Sequence, residues 1–97
     1  MKPVVFLPSA EEEIIEAAVY YQAQAEGLGT KYLNAVEKAV RFIAESPTTW
    51  PVIDGSLRRH LVRNFPFGIL YRIEPEQVVI VAVAHMSRRP GYWQGRK

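Results

Sequence analysis

Between Ser9 and Ser46 apolar side chains recur every three or four positions; between Leu57 and Ala84 they recur every second position or crowd together. The first period is that of a helix and the second that of a strand. A short β-like run, PVVFL (Pro3 to Leu7), precedes both and closes at Pro8. SAEE follows, with Ser9 as a helix N-cap and Glu12 three residues on, the spacing of a capping box. Glu11, Glu12 and Glu13 then fall in the first turn, where the helix dipole favours anions. The apolar stripe runs through Ile14, Ala17, Ala18, Tyr21 and Ala25 until Gly27 and Gly29 break it. A second helix is predicted from about Gly29 or Thr30, with Tyr32, Val36, Ala39, Val40 and Ile43 on one face. ESP at 45–47 ends it, because a residue before proline avoids the α region. So few residues join the two helices that they are predicted to pack as an antiparallel hairpin.

TTWPVIDGS (48–56) reads as a turn-rich loop, and LRRHLVR (57–63) as a strand with poor alternation. FGILYRI (67–73) alternates cleanly, with Phe67, Ile69, Tyr71 and Ile73 on one face. EPEQ (74–77) suits a four-residue hairpin turn. VVIVAVA (78–84) is apolar on both faces, as an inner strand would be with helices on one side and the C-terminal segment on the other. The order is β-α-α-β-β-β. Helices segregated from a run of strands give an α+β class: a small antiparallel sheet with an N-terminal helical hairpin on one face. The pattern does not place the first strand in that sheet.

The 97 residues fit a single domain, 1–97, without repeats or linkers. With no cysteine, disulfides and thiolate metal sites are excluded, which suits a cytoplasmic protein. The first residues show no signal-peptide pattern and no run approaches the ~18 apolar residues of a membrane span, so neither export nor a membrane is expected. Charge is segregated. Residues 1–57 carry four basic and eight acidic side chains; residues 58–97 carry eight basic and two acidic. Such a field attracts an acidic partner or nucleic acid.

Few residues suggest chemistry. Glu12 and Glu16 stand one helical turn apart on a polar face, where solvation accounts for them. His60 and His85 are the only histidines and lack metal-ligand spacing, so no metal is expected and no cofactor motif occurs. His85 either closes the sheet edge or serves as a general base or a partner contact. The remaining candidates are Arg58, Arg59, Arg63 and Arg72 from the strand region, and Arg88, Arg89, Tyr92, Trp93 and Arg96 from the end of the chain. Arginine outnumbers lysine eight to four, and it pairs with phosphates and carboxylates in bidentate fashion. Trp93 either covers the open edge of the core or anchors a partner.

Four strings carry a resemblance: SAEEEIIEAAVYYQAQ, ESPTTWPVI, RRHLVRNFPFGILYRI and VAVAHMSRRPGYW. With them the chain resembles the RelE/ParE superfamily of type II toxin–antitoxin toxins over essentially its whole length. The resemblance implies a toxin neutralised by a cognate antitoxin in a hetero-oligomer, with operator DNA bound only indirectly through the antitoxin. Two activities divide the superfamily. RelE-like members cleave mRNA on the ribosome without metal, and here they would use Arg59, Arg63, Arg88 and Tyr92. ParE-like members inhibit DNA gyrase and have no recognised nuclease site. Cleaving members commonly carry an arginine after the aromatic that opens the third strand; here Phe67 is followed by Gly68. Arg59 matches one of their basic pair, but Leu61 occupies the other place. FPF, His85 and RRPGYW look more ParE-like, which makes a non-enzymatic gyrase inhibitor the preferred expectation. A ribosome-dependent endonuclease and a non-toxic antitoxin-binding corepressor are the alternatives. The expected target- or partner-binding residues are Arg58, Arg59, Arg63, His85, Arg88, Arg89, Tyr92, Trp93 and Arg96.

Overall fold

Segments rich in valine and isoleucine form the sheet, and the amphipathic segments cover one of its faces. In the computed structural model, which describes residues 1–96, the elements follow as β1 (Val4–Phe6), α1 (Pro8–Gln24), α2 (Leu28–Glu45), β2 (Val52–Asp54), β3 (Leu57–Leu61), β4 (Phe67–Ile73) and β5 (Val78–His85). The strands make one sheet in the order β1-β5-β4-β3-β2. β2 to β5 are antiparallel neighbours, whereas β1 runs parallel to β5, with Val4 opposite Val78 and Phe6 opposite Ile80. The α+β class and the element order agree with the sequence pattern; the sheet is mixed rather than wholly antiparallel. A parallel pair needs a long crossover, and everything between β1 and β5 supplies one.

Local starts differ from the sequence reading in three places. The helix α1 begins at Pro8, with Leu7 in an extended N-cap conformation and no side-chain cap. Proline is pre-set for the first helical position and has no N–H to satisfy, so the Ser9–Glu12 capping box does not form and only Glu11 lies in the first turn. The helix α2 begins at Leu28, one residue before the predicted range, after Gly27 at φ 82°. Part of the predicted loop 48–56 is a strand: Val52–Asp54 pairs with β3 around Gly55 at φ 55°. The turn residues there belong to a hairpin.

The helices meet closely at Gly29, where a Cβ would stand 2.6 Å from the Ala18 carbonyl oxygen. Tyr32, Val36, Ala39 and Ile43 of α2 and Ala10 and Ala17 of α1 are buried against Ile69, Tyr71, Val78, Ile80 and Val83 of the sheet. Val40 is only half-buried, and Ala25 is exposed because the stripe ends a turn earlier. Phe65 and Phe67 pack against Tyr21 and Tyr32 with ring centroids 5.0–6.2 Å apart, so the FPF string has a packing role. The Tyr71 hydroxyl donates to the Pro47 carbonyl and pins the end of α2. A bulge between Leu70 and Tyr71 of β4 leaves Val81 of β5 without a direct partner. Ile80 and Val83, three residues apart, therefore both join the core under the helices, while Val79 and Ala82 are buried too. That is why VVIVAVA shows no alternation.

Ile43 is 0% exposed, so Ile43→Ala is expected to lower stability by about 2–5 kcal/mol. Half-buried Val40→Ala is expected to lower it by clearly less. Denaturant unfolding checks the order; a neutral Ile43→Ala contradicts this account of the core.

Candidate functional site

Beyond Ile80 the outer edge of β5 loses its strand partner, because β1 is only three residues long. Side chains finish that edge. Glu13 of α1 accepts the Val83 N–H on Oε1 at 3.0 Å, and Arg96 Nη1 donates to the Val81 carbonyl at 3.1 Å. Arg96 also pairs with Glu13 at 2.9 and 3.2 Å, and the Tyr92 hydroxyl donates to Glu13 Oε2 at 2.6 Å. The Arg96 and Glu13 side chains are only 20% and 15% exposed. Hydrogen bonds to charged groups contribute about 1.5–3 kcal/mol each, enough to dock an otherwise irregular segment. Residues 86–96 accordingly run as successive turns along the sheet, with Gly91 and Gly95 at φ 85° and 87° where the chain reverses.

The face of the sheet opposite the helices holds the cleft. Arg59 of β3, Gly68 and Leu70 of β4, His85 of β5, and Arg88 and Trp93 of the C-terminal segment line a shallow cavity of ≈ 110 Å³. Gly68 is what lets this cleft form. A Cβ there would lie 2.9 Å from Arg59 Cδ and 3.1 Å from its Cγ, so the arginine stem lies flat where a side chain would otherwise stand. Arg88 stacks on Tyr92, its guanidinium carbon 4.0 Å from the ring centroid, with Arg96 at 5.0 Å from the same centroid. Arg89 is exposed and makes no ion pair among the described residues. Trp93 borders the cleft and lies edge-on to Tyr92 at 5.5 Å; its buried Nε1 has no hydrogen-bond partner. It therefore covers the open face and at the same time forms a wall of the cleft. His85 Nδ1 accepts the Ser87 N–H at 3.0 Å, and its ring packs on Phe67.

The other strand residues are placed elsewhere. Arg58 points to the helix side, donating to the Thr48 and Trp50 carbonyls at 3.2 and 2.7 Å, and ties down the loop before β2. His60 stacks on Trp50 at 4.0 Å and meets Phe42 edge-on at 6.2 Å. Burial pushes its pKa below the usual histidine value. Arg63 is exposed and borders a separate groove between α2 and β3 with Lys38, Phe42 and Leu61. Thus Arg59, Arg88 and Trp93 come together, His85 borders the same cleft with its ring turned to Phe67 on the helix side, Arg89 projects beside them, Tyr92 and Arg96 are engaged with Glu13, and Arg58 and Arg63 stand apart. Burial, followed by its bond to the Glu13 carboxylate, raises the Tyr92 pKa, so its hydroxyl holds its proton. Among the described residues no cluster of potential metal ligands occurs, and no helix is long and apolar enough to cross a membrane.

Glu13 is the residue that sequence reasoning missed. It lies three residues after buried Ala10 and four before buried Ala17, on the core-facing stripe. A carboxylate at that phase of a helix asks for a cationic partner.

Residues 4–90 match the family model described as ParE toxin of type II toxin–antitoxin system, parDE. The chain belongs to the ParE toxin family. No curated protein matches the sequence. A solved structure described as the chromosomal ParDE TA system from P. aeruginosa is similar, with a TM-score of 0.65 and 15% identity over 88% of this chain and 96% of that one. At that identity the likeness bears on the fold, and it agrees with the ParE assignment.

Two outcomes are expected from this geometry. Because the folded His60 pKa lies below the unfolded value of about 6.5, its contribution to stability is full above that pH and is lost as pH falls towards the folded value. Thermal melts from pH 7 to pH 5 should show the fall, and His60→Gln should flatten it; an unchanged slope contradicts it. Gly68→Ala should keep the fold, since a flexible arginine stem can move, but it should displace Arg59 from the cleft. A crystal structure of the variant with Arg59 in place contradicts this.

Proposed function

We propose that this ParE-family toxin inhibits DNA gyrase by binding, without chemistry of its own, and that a cognate antitoxin neutralises it in the cytoplasm. One observation carries the preference: the set that a ribosome-dependent nuclease would use is incomplete, because Arg59, Arg88 and Tyr92 are neighbours while Arg63 stands apart and the Tyr92 hydroxyl is taken up by Glu13. Gly68 stands where cleaving relatives commonly place an arginine, and the stem of Arg59 lies across it. Arg63 borders a different groove from Arg59 and Arg88. The Tyr92 hydroxyl is bound to Glu13 and its pKa is raised, so it is ill suited to proton transfer. What remains is a surface with arginines at its rim and an indole in its wall, the residue types that dominate interface energies.

The antitoxin reading has separate support. On the outer side of α1, Ile15 and Val19 are 61% and 65% exposed, one turn apart, and unpaired apolar surface of this kind favours a covering partner. The hetero-oligomer would then reach operator DNA through the antitoxin. The excess of basic residues after position 57 favours an acidic partner.

Arg88→Ala combined with Arg89→Ala should abolish inhibition of supercoiling by purified gyrase and relieve growth arrest. The melting temperature should stay nearly constant, because exposed arginines contribute little to stability. Transcripts should remain uncut on induction of the wild type. Ribosome-dependent mRNA cleavage with intact supercoiling would favour the nuclease reading, and antitoxin binding without either effect would favour a corepressor.

A further inference from the structure

Three parts of the molecule converge on one carboxylate that no expected site included. Glu13 receives Val83 of β5, Arg96 and Tyr92, so α1, the unfinished sheet edge and the C-terminal segment share a single anchor. Other ties between residues 86–96 and the rest of the fold are few. Met86 N–H donates to the Pro66 carbonyl, Ser87 N–H to His85 Nδ1 and Arg88 N–H to the His85 carbonyl; beyond residue 88 the backbone bonds join the segment to itself: Tyr92 to Arg89, Gln94 to Gly91, Arg96 to Trp93. Arg88 is held by the Tyr92 ring, and Tyr92 is held by Glu13. The chain of support thus runs from Glu13 through Tyr92 to Arg88, while Trp93, which follows Tyr92 in sequence, forms a wall of the cleft.

We infer that Glu13 is a positioning residue for target binding: its carboxylate latches the C-terminal segment to the β5 edge and thereby holds Arg88 and Trp93 over the open sheet face. The inference rests on the reading of this segment as the target-facing surface. It assigns Glu13 no contact with the target. With the latch open, the segment keeps its own turns, the bonds of residues 86–88 to Pro66 and His85, and the Arg96 bond to the Val81 carbonyl, but none of these fixes the Tyr92 ring under the Arg88 guanidinium. Arg88 and Trp93 then sample many positions, and binding must order them again at an entropic cost. Replacing Glu13 should therefore weaken inhibition even though Glu13 touches no target, but by less than loss of the contact residues does.

The test uses the full-length protein, alone and with its antitoxin. The indole N–H signals of Trp50 and Trp93 are separated by assignment with Trp93→Phe, and their solvent exchange is followed in Glu13→Gln. Faster exchange at Trp93 with unchanged exchange at Trp50 is expected. Growth arrest should need about tenfold more toxin, with the antitoxin affinity unchanged. Arg96→Gln, a second variant in case Glu13→Gln folds poorly, should behave alike. The double variant should be no weaker than either single one, because both break the same latch. A protected Trp93 indole in Glu13→Gln overturns the inference. So does a freed indole with wild-type potency, or strictly additive losses. A wild type that arrests growth while leaving supercoiling untouched overturns the gyrase reading alone, because the latch is read from exchange and relative potency.

Discussion

A strand of three residues cannot finish an edge of eight, and much of this molecule follows from that shortfall. β1 pairs with the first residues of β5 and then gives way to α1. The backbone of Val81 and Val83 would be left with unmet hydrogen-bonding groups beside a helix, which is costly away from water. Glu13 and Arg96 meet them from opposite directions, and in doing so each removes the other's charge problem. A mostly buried ion pair is poor evidence of stability by itself, because desolvation offsets the attraction. Here each partner also bonds the backbone, so the pair closes the sheet and binds the end of the chain in one step.

The two faces of the sheet divide the arginines. Adjacent residues on a strand point to opposite sides, so Arg58 and Arg59 have different tasks. Arg58 fastens the loop before β2 on the helix side. Arg59 reaches across the open face, which only a glycine at position 68 permits. A single glycine thus leaves the Arg59 stem flat on the sheet and sets the shape of the cleft.

The fold was largely legible because its signals are periodic: the stripe of α2, the clean alternation of β4 and the turn at 74–77 all stand in the structure. What the sequence hid has local causes. Pro8 pre-empted the Ser9 cap, and Gly55 turned an apparent loop into a hairpin. The parallel placement of β1 depends on a contact more than seventy positions away, beyond any window of periodicity. At the site, charge segregation pointed to the C-terminal segment, and the cleft gathers Arg59, Arg88 and Trp93, whereas the His85 ring turns to Phe67. Residue type alone could not separate the exposed Arg89 from the bonded Arg96. Nor could it distinguish Glu13 from its neighbours Glu11 and Glu12, which are exposed. Helical phase against Ala10 and Ala17 was the available clue.

The central claim is that the target binds the open sheet face and the latched C-terminal segment. Amide hydrogen exchange of the toxin, with and without gyrase, tests it directly. The account predicts that bound gyrase slows exchange across residues 84–94 and in β3, and leaves α2 unchanged. Protection confined to the helical hairpin, with residues 84–94 exchanging as in the free toxin, would contradict it.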